Sequence, residues 1–243
     1  MIKLLTLFTF GFTVNLFAQN PNQLPCSTTG EIVKHKYYTL SYSEKNEQAE
    51  WVFYLLTRAN STGAAERGNN FRPDPSVTTG SASLLDYRNS GYDKGHLCPA
   101  ADMSFNAQAM SETFYLSNMS PQVPSFNRGI WKSLEKLVRR WAIQEDSIYI
   151  ITGPIFTKNK GTIGSDKVTV PGYYYKVIYN PNGVKKMIAF ILPNVKAKNK
   201  QLSNYSVPVD SVEKVTKIDF FHNLPDDVES RLEKGFDPKL WKF

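Results

Sequence analysis

Two short segments and two positions downstream hold the residue types from which a hydrolytic site could be built. YDKGHLCPAADM sets Asp93, Lys94, Gly95 and His96 in a row. SNMSPQ brings Asn118 and Gln122, and Asn127 and Glu135 follow downstream. An imidazole with a pKa near 6.5 can take a proton from water at neutral pH, help typically worth about 100- to 10,000-fold in rate. Amide and carboxylate oxygens are hard donors that suit Mg²⁺, which keeps much of its own water. A base and a bound cation together meet the needs of phosphodiester hydrolysis. One makes water nucleophilic and the other neutralises charge gathering on the phosphate. A single neutral ligand such as Asn127 would leave the ion's full charge facing that phosphate.

The elements around these residues must position them. Residues 58–82 are polar and rich in Gly, Asn and Pro, which suits a long surface loop, and Arg67 and Arg72 lie in it. After Asn127, residues Ile130, Leu134, Leu137, Val138 and Trp141 form one apolar stripe at helical period. Eight residues of helix separate Asn127 from Glu135, about 80° of net rotation and about 12 Å of rise. The two side chains then point to a similar side without touching, so Glu135 suits a metal-bound water better than a shared direct ligand role.

HKYYTLSYSEK, AEWVFYLLTR and SIYIITGPIF read as strands. YYYKVIYN and KKMIAFILPN flank Pro181-Asn182-Gly183, a hairpin signal because Asn-Gly tolerates positive φ. A short helix is expected within 106–116, and the tail suggests a helix, a loop and a second helix. Without repeats or a linker, residues 35–243 read as a single α+β domain, with 19–34 as an exposed N-terminal arm.

The first residues carry an export signal in outline. Lys3 precedes an uncharged apolar run over 4–17, too short to span a bilayer comfortably, and Ala18 closes it. A signal peptide over 1–18 implies a secreted or periplasmic protein without stable membrane insertion after cleavage. Its removal takes away one lysine and no acid, so the net charge of +7 becomes +6. A positive balance favours polyanions as partners without deciding the matter. The two cysteines, Cys26 and Cys98, could form one disulfide in an oxidising compartment, and two cysteines alone do not make a zinc site.

Each chemical residue also has a plainer role open to it. His96 could be a buried structural histidine, Asn127 a helix cap, Glu135 an i,i+4 partner of Arg139, Asn118 a turn residue and Asp93 a structural acceptor. Taken together, however, Asp93-Lys94-Gly95-His96, Asn118 to Gln122, Asn127 and Glu135 resemble, in order and spacing, the signature of the DNA/RNA non-specific endonucleases of the ββα-metal superfamily. FRPDPSV and ITGPIF add to the likeness, which covers roughly residues 35–235.

That resemblance implies a central, mostly antiparallel sheet flanked by helices, with a ββα-metal active-site motif. It implies His96 as general base, Asn127 as direct Mg²⁺ ligand and Glu135 as the residue ordering the ion's waters, with Mn²⁺ or another divalent cation as alternatives. Asn118 would support the geometry, and an arginine, Arg67 or Arg72, would stabilise the charged phosphate. The substrates would be DNA and RNA. Lys94 stands where the family has Arg, keeping the charge for phosphate but losing the bidentate fork. Two other functions are compatible with these residues: a catalytically inactive nucleic-acid-binding module, and an extracellular phosphodiesterase for small diesters. The oligomeric state is not legible.

Overall fold

The computed structural model describes residues 23–235 and 237–243; the expected signal peptide and the start of the arm lie outside them. The strands are β1 (Glu31–Lys34), β2 (Thr39–Ser43), β3 (Gln48–Thr57), β4 (Asp93–His96), β5 (Met119–Gln122), β6 (Ser147–Ile155), β7 (Thr162–Ile163), β8 (Val168–Thr169), β9 (Tyr173–Asn180), β10 (Lys186–Pro193) and β11 (Ser206–Val207). The α-helices are α1 (Leu84–Tyr87), α2 (Ala107–Glu112), α3 (Pro124–Phe126), α4 (Lys132–Glu145), α5 (Val209–Thr216) and α6 (Asp226–Lys234).

Seven strands form one antiparallel sheet in the order β1-β2-β3-β6-β9-β10-β11. Its central strands are apolar on both faces because both faces are covered. On β3, Val52, Tyr54 and Leu56 join one core with Leu134, Leu137, Val138 and Trp141 of α4. Trp51 and Phe53 join the other, with Val209 and Val212 of α5, Phe220 and Phe221 between the last two helices, and Leu232 of α6. The expected α+β architecture is therefore present, with the apolar stripe of α4 facing inward as its period requires. β4 and β5 stand apart as a separate two-stranded ribbon on the α4 side.

The arm expected over 19–34 is not simply exposed. Residues 31–34 are the edge strand β1, with Val33 buried, and Cys26 bridges to Asp219 through two backbone hydrogen bonds. Polar composition hid this, because an edge strand needs only one inward apolar side chain. The hairpin forms around Gly183, whose φ of +53° confirms the turn chemistry. The short helix expected within 106–116 is α2, with Asn106 accepting from the N–H groups of Gln108 and Ala109. Among the described residues no helix is long and apolar enough to cross a membrane.

Candidate active site

The ribbon pairs Asp93 with Gln122, Gly95 with Ser120 and His96 with Met119. Gly95 is required by a close approach: a Cβ there would stand 2.2 Å from the side-chain carbon Cδ of Gln122. After β5, the chain enters α3 at Pro124 and passes through a wide π-type turn over Asn127–Trp131 before α4 begins. Gly129 breaks the helical backbone within that turn (φ −105°, ψ −110°). Such turns inside helices often mark functional positions. Asn127 therefore closes α3 through its backbone and lies inside the helical entry, and its side chain makes no N-cap bond but reaches across to the ribbon.

Ribbon, loop and helix enclose a cleft of about 360 Å³ lined by His96, Asn127, Glu135, Arg67, Lys94 and Arg128, among others. Lys132 and Arg139 of α4 also face it, whereas Lys136 and Arg140 line a different concavity. The His96 ring is 8% exposed and sits against Phe114 at 5.0 Å and Phe71 at 5.9 Å. Its Nε2 is buried without a partner among the described residues. Burial and the nearby Arg67 charge lower its pKa from 6.5 to about 3, so the imidazole is neutral at physiological pH.

Asp93 fixes the orientation of Asn127. Its Oδ2 accepts from Asn127 Nδ2 at 2.9 Å and from Arg128 Nε at 2.9 Å, and its Oδ1 accepts from Arg128 at 2.6 Å. Burial alone would raise this carboxyl, but the donors from Arg128 and Asn127 prevail and hold it below its usual value. With Nδ2 committed to Asp93, the amide's Oδ1 is left as its acceptor, the atom a hard cation would use. Asp93 is thus the structural acceptor its sequence context suggested, and Arg128, not singled out from the sequence, completes the clamp.

Glu135 does not pair with Arg139. That arginine binds buried Asp102 at 2.5 Å, and Asp102 also accepts from Tyr54 Oη at 2.7 Å. Fully buried Lys176, on the central strand β9, donates to Thr152 Oγ1 and lies 5.2 Å from the Trp131 ring centroid. Burial, with Asp102 adding to it, pushes the Glu135 carboxyl up to about 7 against the pull of Lys176, Arg139 and Arg67. A carboxylate so placed gains from a cation beside it. An amide oxygen and a carboxylate in one cleft are a hard donor set, which fits Mg²⁺ or a similar ion.

Other expected residues fall elsewhere. Asn118 is fully buried and outside the cleft: Oδ1 accepts from Cys98 N at 2.8 Å, and Nδ2 donates to Cys98 O at 3.0 Å and Thr113 O at 2.8 Å. It positions the segment following His96 and touches no reacting group. Arg72 is committed to the carbonyls of Asn70 and Ser111 and lies 4.0 Å from the Tyr115 ring centroid. It does not line the cleft, whereas Arg67 does. Lys94 lines it too, over the Phe71 ring at 4.8 Å.

The disulfide considered between Cys26 and Cys98 is not formed, and both thiols are free. Cys98 is buried in the α4-side core, while Cys26 bridges to Asp219 near the α5–α6 side. His35 pairs with Asp74 at 2.9 Å and stacks on Tyr115, so it anchors the FRPDPSV loop.

Residues 18–227 match the DNA/RNA non-specific endonuclease family. Nuclease C1 of Cunninghamella echinulata var. echinulata is 37% identical over 214 residues, 81% of this chain and 85% of that protein. Human mitochondrial endonuclease G is 32% identical over 209 residues, 80% of this chain and 70% of that protein. A chain from the crystal structure of the EndoG/EndoGI complex superposes with a TM-score of 0.76 at 32% identity, covering 82% of this chain and 88% of that one. Sheet, ribbon and cleft thus agree with sequence kinship across most of the molecule, and the chain belongs to the DNA/RNA non-specific endonucleases, enzymes that hydrolyse phosphodiester bonds of nucleic acids.

Proposed function

We propose that the chain cleaves both DNA and RNA internally with little sequence preference, using His96 as general base and one divalent cation, Mg²⁺ first among candidates. Asn127 Oδ1 would hold the ion and Glu135 would order its waters. When bound, the cation supplies positive charge to the scissile phosphate and to the leaving oxygen. The remaining work belongs to the chain's own residues. His96 takes the proton of the attacking water, and Arg67 offsets charge on the phosphate. Asp93 keeps the Asn127 amide turned, and Asn118 holds the backbone beyond His96.

The observation supporting this most strongly is the convergence of a neutral, unpartnered imidazole, an oriented amide and a half-buried carboxylate on one cation-rich cleft. An imidazole of such low basicity is a weak base towards free water. A phosphate seated beside it would offset the Arg67 charge and raise that basicity. Backbone contacts through Arg67, Lys94 and Lys132 would read no base sequence.

Plasmid DNA and RNA digestion by the mature chain, with Mg²⁺ or chelator, tests the reading. Wild type should degrade both substrates only with the metal, and His96→Ala should be about 100-fold slower or worse. Equal cleavage by the variant would remove the proposed base. Salt-sensitive binding without cleavage would instead mark an inactive module, and cleavage of small diesters alone a different phosphodiesterase. Export to the periplasm or medium is proposed on the N-terminal residues alone. A secreted product beginning after Ala18 would support it, and an intact N-terminus on the purified protein would refute it.

A further inference from the structure

On the sheet face opposite the catalytic cleft, Asp210 and Glu213 of α5 meet Glu233 of α6. One carboxylate oxygen from each lies within 4.8 Å of the others. Two oxygens bound on opposite sides of an ion at about 2.4 Å stand about 4.8 Å apart, so the three can share one ion without rearrangement. Proximity of acids alone would mean little. Glu233, however, is only 6% exposed, and its Oε1 is buried without a partner among the described residues.

A buried carboxylate normally finds a cation or hydrogen-bond donors, because leaving it unpaired is costly. The charges acting on Glu233 are those of Glu213, Glu229, Asp210 and Asp219, all acidic. No ion pair reaches the trio among the described residues: Lys234 turns back to Ser230, and the Glu213 Oε1 is held by the Phe220 N–H.

We propose that Asp210, Glu213 and Glu233 bind a divalent cation, calcium by preference, that clips α5 to α6 against the sheet. Calcium fits better than magnesium. It accepts six to eight oxygens in flexible geometry, whereas magnesium demands a near-ideal octahedron and keeps most of its water. The site shares no residue or element with the cleft, so its role is to hold the C-terminal helices and not to act on the phosphate.

Calcium titration of the full mature chain, followed by calorimetry and by thermal unfolding, tests this. Asn127→Ala serves as background to silence the cleft. One calcium per chain and a melting temperature that rises with calcium are expected in that background. Added Glu233→Gln or Glu213→Gln should weaken calcium binding by on the order of tenfold or more. Glu233→Gln also relieves repulsion, so its melting temperature in chelator should equal or exceed that of its parent. The proposal is overturned if no response occurs up to about 10 mM calcium, tenfold above the weakest extracellular modules. Undiminished binding in both Gln variants also overturns it. So does a chelator-state gain in Glu233→Gln with no calcium response in the parent, which would mean that the trio shares a proton.

Discussion

Acidification should destabilise the native state through His96 by an amount that can be worked out. The perturbation is a drop from pH 7 to pH 5, applied to wild type and to His96→Ala. In the native state the pKa of His96 is about 3, against 6.5 for the free imidazole. The folded value is depressed, so between these limits the unfolded chain binds the extra proton. Stability from this group is thus lost as pH falls from 6.5 towards 3. At pH 5 protonation favours the unfolded chain by about 30-fold, and at pH 7 by only about 1.3-fold. The difference is about 2 kcal/mol. Glu135, pushed up to about 7, works in the opposite direction as pH falls. Groups of that kind are present in both proteins and cancel in the comparison. Urea unfolding in metal-free buffer would measure it. The stability advantage of wild type over His96→Ala should shrink by about 2 kcal/mol between the two pH values. A gap that stays constant or widens on acidification would show that the ring is not held neutral by its surroundings.

Four other outcomes follow from the site. Asp93→Ala removes the acceptor that orients Asn127, so the Mg²⁺ concentration for half-maximal cleavage should rise about 10- to 100-fold; an unchanged metal dependence would count against the clamp. Asn118→Ala orphans three buried backbone groups and should lower stability by about 3 kcal/mol, read by chemical unfolding, with little loss expected if the amide were a dispensable turn residue. Arg67→Ala should reduce the salt slope of DNA binding by about one while Arg72→Ala leaves it unchanged, and the reverse pattern would reassign the phosphate contact. Protonation of Glu135 below about pH 7 should weaken apparent Mg²⁺ affinity towards a tenfold loss per pH unit, measured from cleavage rates against metal concentration at pH 6 and 8.

Much of this architecture can be read along the chain because its signals are local. The stripe on α4, the period of the central strands and the Asn-Gly turn each need only neighbouring residues. The cleft is harder, since its members meet only after folding. His96, Asn127 and Glu135 are legible through their combined spacing and all line the cleft, although the wide turn over Asn127–Trp131 replaces the straight helix assumed between Asn127 and Glu135. The amide's tie to Asp93 is invisible, because the wide turn at Gly129 carries Asn127 away from a cap position. Arg67 and Arg72 are equivalent by type and loop, and only the Ser111 and Asn70 carbonyls tell them apart. Lys176 could have been flagged, since a lone cation inside YYYKVIYN is out of place in a buried strand. The cysteine pairing failed for want of the third dimension, with one thiol on each side of the sheet.

The sheet also gives the molecule a polarity. Cations crowd the cleft on one side, and carboxylates gather between the last two helices on the other. Positive charge concentrated on one face would turn that face towards a polyanion before contact. Each encounter with a nucleic-acid strand would then begin at the cleft. Bound this way, the enzyme would sit on a long substrate as a one-sided rider, with the α5–α6 face turned outward to the solvent.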